Sequence, residues 1–461
     1  MKLDFLIKLL KIVVRSRKDA DAVTAMLRRF YSDWGIEVIT LKGIRGDEAV
    51  TSGLRSLINS NSIYIVLLGR DDVSNVLYIE ESLPPNVVVC RIPKTKVRNA
   101  RIEELAREFN TARVIMRLRT RWSREHNAYV FSGRGEALKN FLYEPLRDAF
   151  LGLGAWGELV GEVTGLGTLE NPLIVRCAGG EHIVYCGPEP CGAFKILNEG
   201  LEVKGYKTSE PRYQVIKIEN LLKANDDVLK VYEGISTELL RRFKEWADHV
   251  VVPWSGGKDS TAVLLLALKV FPRSKIIAVY SDTGVEFPQT VEYIEEVSRK
   301  LGVEVVRLPA GVDRGILEEG LPLPSHSNRW CTLRKVSVIE KFLKELDGNV
   351  LVVVGDRDAE SESRFRRPPV RWVSKSRIEV APIKFWGTAL TQLYIQWNNL
   401  RLNPLYLLGF YRIGCYICPA LRSWELRILT KNTELLNALE GSKLFKLFIS
   451  SRLGKSVRSY W

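Results

Sequence analysis

The stretch VVPWSGGKDSTAVLLLAL, residues 251–268, decides the fold of the second half of this chain. It joins an apolar run, typical of a buried strand, to an apolar helix through the loop Ser255-Gly256-Gly257-Lys258-Asp259-Ser260. The glycines let the backbone approach a phosphate closely, and the helix start offers unpaired N–H groups and the positive end of its dipole. Lys258 adds a charge, and the two serines add hydroxyls. Because the Walker pattern is absent, the stretch predicts a phosphate-binding loop of another type.

The alternation of strands and helices around this loop predicts the architecture. Apolar runs and amphipathic segments follow one another from residue 249 onward, which indicates an α/β fold with a parallel sheet and crossover helices. The predicted strands are residues 249–254, 275–281, 303–308 and 350–355, and the predicted helices are 259–271, 288–301 and 336–346. We assign residues 221–385 to this nucleotide-binding domain. Residues 386–461 form a helical segment that contains a cysteine-bearing turn.

The first 220 residues follow different patterns. Residues 1–110 predict a small α/β domain, with buried strands at Ile36–Leu41, Ile63–Leu68 and Val87–Ile92. Residues 111–220 contain short apolar runs, many glycines and turn signals, which indicate a β-rich module. The first 22 residues, apolar at helical spacing but interrupted by lysines, predict an amphipathic helix and not a signal peptide.

Composition limits the classes of partner. The chain has 461 residues, is 46% hydrophobic and carries a formal net charge of +14. No apolar run reaches the length of about 18 residues that a membrane span needs, so we expect a cytoplasmic protein without a membrane partner. The positive charge favours a polyanionic partner. The alternative is a surface rich in Lys, Arg and Glu, as in thermophilic proteins.

A run of arginines makes nucleic acid a candidate partner. From residue 113 to residue 124 there are five arginines and no acidic residue. If this stretch is a strand, Arg117, Arg119 and Arg121 share one face and can contact successive phosphates, while Trp122 offers a stacking surface. The alternative is a charged edge strand that resists aggregation.

Five ordered motifs between residues 249 and 420 resemble one enzyme family. The loop Ser255–Ser260 resembles the SGGKDS motif of the PP-loop ATP-pyrophosphatases, which split ATP between the α and β phosphates. The other four resemble the phosphoadenosine-phosphosulfate (PAPS) reductase family within that superfamily. They are Asp282-Thr283-Gly284 with Phe287-Pro288, Arg329-Trp330-Cys331-Thr332 with Lys335, Gly355–Ser361 with Arg364, and Asn403–Tyr406 with Gly409–Pro419.

The resemblance implies roles for individual residues. Ser255–Ser260 would hold the pyrophosphate part of ATP or of a PAPS-like nucleotide, with Lys258 and Asp259 as catalytic residues and Asp259 helping to place Mg²⁺. Beyond the sheet's strand ends, where open α/β sheets bind ligands, the implied nucleotide-binding residues continue. They are Asp282, Thr283, Gly355, Arg357 and Arg364, and the two arginines suit bidentate contacts to phosphate or sulfate.

The cysteines suggest a second kind of chemistry. Cys415 and Cys418 have C-x2-C spacing, which lets two thiolates face one metal. By the resemblance, Cys331 joins them, as a metal ligand and catalytic residue, and the three would hold a [4Fe-4S] cluster. Zinc, a redox dithiol and inert buried cysteines remain alternatives. Three further cysteines, Cys177, Cys186 and Cys191, are interpreted as buried or paired, or as the source of a fourth ligand, whereas Cys90 is assigned to the core and His326 to a loop.

Three functions remain open. The first is an enzyme of adenylation-linked sulfur transfer, with tRNA as a possible acceptor and a sulfur-donor protein as partner; the intact loop favours it. The second is a PAPS or adenylyl-sulfate (APS) reductase that uses a thiol reductant protein. Such reductases use a cysteine on a C-terminal tail, and Ser450–Trp461 contains none. The third is a non-catalytic RNA-binding protein.

Overall fold

The computed structural model describes residues 9–454, which form helices and strands in three successive parts of the chain. The helices are α1 Arg17–Phe30, α2 Asp47–Leu57, α3 Val76–Glu81, α4 Ile102–Leu118, α5 Trp156–Thr164, α6 Ile218–Ala224, α7 Asp226–Arg241, α8 Lys258–Val270, α9 Pro288–Leu301, α10 Val312–Leu317, α11 Trp330–Glu345, α12 Glu362–Arg366, α13 Thr388–Trp397, α14 Pro404–Leu407, α15 Ser423–Lys431, α16 Thr433–Leu439 and α17 Lys443–Leu453. The strands are β1 Leu10–Val14, β2 Glu37–Thr40, β3 Ile63–Leu68, β4 Val87–Arg91, β5 Arg121–Ser123, β6 Ala128–Val130, β7 Glu136–Ala137, β8 Asp148–Leu151, β9 Leu173–Arg176, β10 Glu181–Tyr185, β11 Pro190–Ile196, β12 Val203–Lys207, β13 His249–Pro253, β14 Ile276–Asp282, β15 Val305–Pro309, β16 Val350–Val353, β17 Val370–Ser374 and β18 Arg377–Val380.

The first part is a parallel four-stranded sheet in the order β2-β1-β3-β4. The three predicted strands are confirmed as β2, β3 and β4. The predicted N-terminal helix is wrong over Leu10–Val14, which forms β1 and pairs with β3 from Leu10↔Ile63 to Val14↔Leu67. This segment is a strand because it is buried between two neighbouring strands, where an apolar run satisfies both sheet faces. Residues 17–22 of the predicted helix do lie in a helix, as the start of α1, whereas residues 1–8 lie outside the described residues.

The middle part contains the predicted β-rich module. Five antiparallel strands follow the order β12-β11-β10-β9-β8, and a smaller sheet has the order β6-β5-β7. A disulfide joins Cys186 to Cys191 across the turn between β10 and β11, so these two cysteines are paired and are not metal ligands. Helix α4 runs across the predicted domain boundary at residues 110/111.

The third part confirms the predicted α/β fold. Its sheet has the order β15-β14-β13-β16-β18-β17, parallel except for the edge strand β17. The chain moves outward from β13 through β14 to β15, and then returns to the other side of β13 as β16. The loop after β13 therefore lies at the point where the strand order reverses, which is where open α/β sheets bind their ligands. No helix within residues 9–454 is long and apolar enough to cross a membrane.

The predicted arginine stripe is wrong, because its residues are not on one exposed strand. Arg117 lies in the last turn of α4, Arg119 follows that helix, and Arg121 begins β5; all three are buried. Arg117 donates to the carbonyl oxygens of Pro145 and Arg147, and Arg121 donates to a backbone carbonyl as well. At the junction of the first two parts, these guanidinium groups donate hydrogen bonds to backbone carbonyl oxygens. They are therefore not available to contact the phosphates of a nucleic acid.

Arg119 shows this role most clearly. Its guanidinium donates to Val87 O at 2.8 Å and to Pro85 O at 3.0 Å, and it pairs with the Glu80 carboxylate at 3.2 Å. The Trp122 indole, predicted as a stacking surface, is also buried and packs against Tyr129 and Tyr213.

Candidate active site

The loop between β13 and α8 has the conformation that its glycines predict. Gly256 has a φ of 71°, and a Cβ atom there would lie 3.1 Å from Ile294 Cγ1 and 3.3 Å from Thr290 Cγ2. The positive φ favours glycine, and the close approach of α9 leaves little room for a Cβ atom. Ser260 Oγ accepts from Ser255 N at 3.3 Å and lies 3.3 Å from Ser255 Oγ, so the two loop serines face each other.

The charged residues of the loop are paired with each other. Lys258 Nζ lies 3.0 Å from Asp259 Oδ2, and Arg357 Nε lies 2.6 Å from Asp259 Oδ1. Burial alone would raise the pKa of Asp259, but Arg357 and Lys258 stabilise the carboxylate and lower it. Each carboxylate oxygen of Asp259 thus contacts one cation, and a part for Asp259 in placing Mg²⁺ stays a prediction.

Two tyrosines complete the surroundings of Lys258. The Tyr406 hydroxyl accepts from Lys258 N at 3.1 Å, and thus satisfies one of the N–H groups at the start of α8. The Lys258 ammonium lies 5.4 Å from the Tyr406 ring centre and 5.6 Å from that of Tyr411. Tyr406 belongs to the Asn-Pro-Leu-Tyr motif, so this motif contacts the phosphate loop directly.

Arg357 does not have the predicted phosphate-binding role, because its guanidinium is fully used inside the protein. Its side chain is 2% exposed and contacts Asp148 Oδ2 at 3.2 Å as well as Asp259. Thr388 Oγ1 accepts from Arg357 Nη2 at 2.9 Å and donates to Asp148 Oδ2 at 2.6 Å. A buried chain of alternating charges therefore runs from Lys258 through Asp259 and Arg357 to Asp148.

Asp148 is the site residue that sequence reasoning missed. It lies on β8, outside the region of the recognised motifs, and is fully buried. Although burial would raise its pKa, the Arg357 and Arg176 guanidinium groups and the Thr388 hydrogen bonds keep that pKa well below its usual range. Its partner Arg357 is 209 residues away in the chain, and no local pattern around Asp148 indicates that contact.

The remaining residues of the predicted Gly355–Arg364 loop are structural neighbours of the phosphate loop. A Cβ atom on Gly355 would lie 2.9 Å from the Asp259 carbonyl carbon, so the two loops pack backbone to backbone. Arg364 pairs with Asp356 at 3.1 Å and with the Glu360 carboxylate, and its side chain is 36% exposed. Arg364 is thus the more accessible of the two predicted arginines, while neutralised by two carboxylates.

The Asp282–Pro288 segment connects the sheet to the cysteines. The Asp282 carboxylate accepts from Gly284 N at 2.9 Å, and buried Thr283 donates its N–H to Glu286 Oε2 at 3.0 Å. Glu286 also forms a backbone bridge with Cys415, and its carboxylate pairs with Lys335 at 3.4 Å. This pairing holds the C-x2-C turn beside the carboxyl end of β14.

A cavity of about 170 Å³ opens between the phosphate loop and β14. Ser255 lies at one side of it, and Tyr280 and Ser281 line the other. The hydroxyl oxygens of Tyr280 and Ser281 are buried and have no hydrogen-bond partner among the residues described. Because buried polar atoms are normally paired, these two hydroxyls indicate a polar ligand in this cavity.

The three predicted metal-site cysteines line a second, larger cavity of about 950 Å³, which His326 also borders. Cys415 and Cys418 are hydrogen-bonded to each other, which lowers the pKa of Cys418 to about 6 despite burial; Ala420 N, Arg329 and Lys335 favour its thiolate as well. The same contact, with burial, raises the pKa of Cys415 well above its usual range. The two cavities meet at Lys335, Ile413 and Gly414.

The cysteines do not form a ready three-ligand metal site. Between residues 9 and 454, no group of three His, Cys, Asp or Glu side chains is close enough to hold a metal ion. Cys331 lines the same cavity as the hydrogen-bonded pair, but it is not close enough to both cysteines to form a three-ligand site with them. The [4Fe-4S] cluster and zinc stay predictions. Cys90 is buried in the core, as predicted, whereas Cys177 is half-buried and a free thiol, and so is neither buried nor paired as its interpretation had it.

Comparisons with known proteins find similar sequences and structures. The phosphoadenosine phosphosulfate reductase domain matches residues 249–421. An uncharacterized protein of Methanocaldococcus jannaschii is 32% identical over 212 residues, 45% of this chain and 44% of that protein. The adenosine 5'-phosphosulfate reductase of Chelativorans sp. is 30% identical over 189 residues, 40% of this chain and 74% of that enzyme.

A crystal structure of phosphoadenylyl-sulfate (PAPS) reductase from Candida auris, in a phosphate complex, is 22% identical. The match covers 42% of this chain and 94% of the Candida auris enzyme, with a TM-score of 0.34. The chain spans about half the length of the first curated relatives that it matches.

Proposed function

Because the chain belongs to the PAPS reductase family, we propose that it binds ATP at Ser255–Ser260, adenylates an acceptor and replaces the adenylate with sulfur carried by Cys418. The family supports a nucleotide-binding enzyme of sulfur metabolism; the ATP reaction and the sulfur transfer are our proposal. The observation that carries it is the junction of two cavities at Lys335, Ile413 and Gly414. One cavity adjoins the phosphate loop and the other contains a thiol pair.

The smaller cavity suits the nucleoside part of the ligand. Its unpartnered Tyr280 and Ser281 hydroxyls can hydrogen-bond to a ribose or a purine, and Ser255 places the phosphate loop at its edge. The α-phosphate then lies between the loop and the larger cavity. An acceptor oxygen attacks the α-phosphorus, the α–β phosphoanhydride bond breaks, and pyrophosphate leaves with the bonding electron pair. Electrostatic stabilisation by fixed charges such as Lys258 is the main help a protein gives to this step.

The hydrogen-bonded cysteines supply the second step. A persulfidic donor protein transfers its outer sulfur to the Cys418 thiolate and leaves as a thiolate itself. The Cys418 persulfide then attacks the activated carbon of the acceptor, and AMP leaves. Cys415 attacks Cys418 Sγ, which releases the acceptor thiol and leaves a Cys415–Cys418 disulfide. A thiol reductant supplies two electrons and resets the pair.

Product analysis tests the proposal directly. Purified protein with ATP and Mg²⁺ should form AMP and pyrophosphate slowly, because water replaces the absent acceptor. Ser281→Leu, which fills the smaller cavity, should abolish binding of the ATP analogue AMPCPP in calorimetry. Ser376→Leu, at an exposed position in the turn between β17 and β18, is the matched control. ADP and inorganic phosphate as products would contradict adenylation.

A second function is favoured by the names of the relatives, several of which are adenosine 5'-phosphosulfate reductases. In that reaction Cys418 attacks the sulfonate sulfur, AMP leaves, and Cys415 releases sulfite by forming the disulfide. Release of sulfite from APS or PAPS with dithiothreitol, without AMP formation from ATP, would support this function and contradict the first. Transfer to tRNA loses its support, since Arg117, Arg119 and Arg121 are buried.

A further inference from the structure

The larger cavity has walls from parts of the chain that the recognised motifs do not cover. The C-x2-C turn and the start of α11 form one wall. Strands β9 to β11 and the turn after them contribute Arg176, His182 and Asn198, while Arg422 and α17 close the third side. Its volume of about 950 Å³ is at the upper end of the range for pockets that hold one small molecule.

This cavity carries an excess of positive charge. Its six basic residues are Arg176, Arg329, Lys335, Arg412, Arg422 and Arg452, against two acidic residues, Glu199 and Glu425. Glu425 is buried and accepts from Arg422 N, and burial raises its pKa, which favours the neutral form.

Most of these cations lack an acidic partner. Only Lys335 forms an ion pair, with Glu286, among the residues of the described chain. Arg412 and Arg452 donate to backbone carbonyls, and Arg176 donates to Ala359 O while its Nε atom is buried without a partner. Arg329 and Arg422 have no side-chain hydrogen bond or ion pair within residues 9–454. Clustered cations repel each other, so the arrangement favours an anion between them.

From this we infer that the larger cavity binds the second substrate, and that this substrate is a small anion with phosphate or carboxylate groups. Planar guanidinium groups bind such groups with paired hydrogen bonds. The cavity also holds the Cys415–Cys418 pair and meets the nucleotide-side cavity, so an anion held by Arg329 and Arg422 lies within reach of both. The inference rests on the proposed function, because the anion is the acceptor of the proposed reaction. Enclosure by three segments of the chain favours a small molecule over a nucleic acid.

Calorimetry with two simple anions tests the inference. Citrate and inorganic pyrophosphate are titrated into the protein saturated with AMPCPP, which occupies the phosphate loop. We expect one site for either anion, weakened roughly 10-fold by Arg329→Ala or by Arg422→Ala, because each removes a charge-assisted contact. Arg241→Ala is the control, since Arg241 is exposed on α7 and pairs with Glu238. Unchanged melting temperatures show that the variants are folded.

Three outcomes overturn the inference. The first is anion binding that neither arginine substitution weakens, and the second is no anion binding at all in the presence of AMPCPP. The third is tRNA binding that both substitutions weaken while citrate does not bind. Failure of AMPCPP itself to bind would instead count against the proposed function. Binding of AMPCPP is therefore measured first, in a separate titration.

Discussion

Lys258 is the one cation of the phosphate loop, and its ammonium group is held against Asp259 and the two tyrosine rings. We expect Lys258→Ala to lower pyrophosphate release at least about 100-fold, the usual effect of removing a fixed charge or donor that stabilises a transition state. Pyrophosphate release from ATP is the measurement. Lys269→Ala, on the same helix but paired with Glu233 at 2.9 Å, is the control. Equal rates for Lys258→Ala and the wild type would remove this residue from the mechanism.

Asp148 is predicted to hold the site together through Arg357. Asp148→Asn leaves the Arg357 guanidinium buried with one fewer carboxylate, and breaking a buried pair costs about 3–5 kcal/mol of unfolding free energy. Urea unfolding measures this, with Asp226→Asn as control, because the Asp226–Lys230 pair is exposed and such pairs contribute at most about 1 kcal/mol. A loss no larger than the control's would show that Arg357 does not depend on Asp148.

The depressed pKa of Asp148 adds a pH dependence to this pair. A carboxyl with a lower pKa in the folded state stabilises the fold above its unfolded pKa of 3.8. That stabilisation is lost as the pH falls below this value. The amide that replaces the carboxyl in Asp148→Asn does not titrate, so the difference in stability between wild type and variant should shrink in acid.

At the scale of single residues, the sequence predicts the loop but not its partners. Gly256 is informative because its positive φ is needed locally. Arg357 appears in a recognised motif, yet its contacts with Asp148 and Thr388 turn it away from any phosphate. Such contacts depend on how β8 and α13 pack, which a single sequence does not encode in any short pattern.

Among the elements, a stack of rings fixes the β-rich module to α15. The His182 ring on β10 stacks on Phe194 of β11 at 4.8 Å. Phe194 in turn contacts Trp424 of α15 at 5.2 Å, and Trp424 stacks on Trp156 of α5 at 4.8 Å. His182 is 2% exposed, and burial, helped by Arg176 and Arg422, lowers its pKa to about 3.

This histidine should make the protein less stable in mild acid. The unfolded chain binds a proton at His182 below pH 6.5, whereas the folded chain does so only near pH 3. Stability therefore falls as the pH drops from about 6.5 to about 3, by about 1.4 kcal/mol per pH unit, or about 2 kcal/mol at pH 5. His182→Phe keeps a ring in the stack and should remove this part of the pH slope. Parallel urea titrations at several pH values check it; identical slopes would mean that His182 binds its proton at the same pH in the folded and the unfolded chain.

The elements that the sequence predicts well are those whose apolar runs are buried on both faces. β3, β13 and β16 are examples, and α8 and α9 follow because helices must cross between parallel strands. The prediction fails at Arg117–Arg121, where charge suggested an exposed strand. The end of α4 instead carries these side chains under the β-rich module, where backbone carbonyls accept their hydrogen bonds. Charge pattern alone does not distinguish a solvated face from a buried junction.

In the whole molecule, the first half and the nucleotide-binding half share one interior. Arg113 of α4 donates to Asp358 Oδ2 at 2.7 Å, and Lys384 lies 3.1 Å from the other oxygen of that carboxylate. Gln392 of α13 exchanges hydrogen bonds with the backbone N–H and carbonyl of Leu151 on β8. These contacts surround the loop that carries Arg357, so the phosphate loop is supported by parts of the chain outside residues 249–421.

We therefore expect the chain to unfold as one cooperative unit, and a nucleotide to stabilise all of it. In scanning calorimetry the wild type should give a single transition, which AMPCPP at about 100 times its Kd stabilises by about 2.7 kcal/mol. Disrupting the junction outside the phosphate loop, with Arg113→Met, should deprive the buried Asp358 carboxylate of one of its two cations and lower the same transition. Arg29→Met is the control, because Arg29 pairs with Glu103 on the surface. Two transitions, with only one shifted by AMPCPP, would show that the halves fold independently and that the buried junction does not couple them.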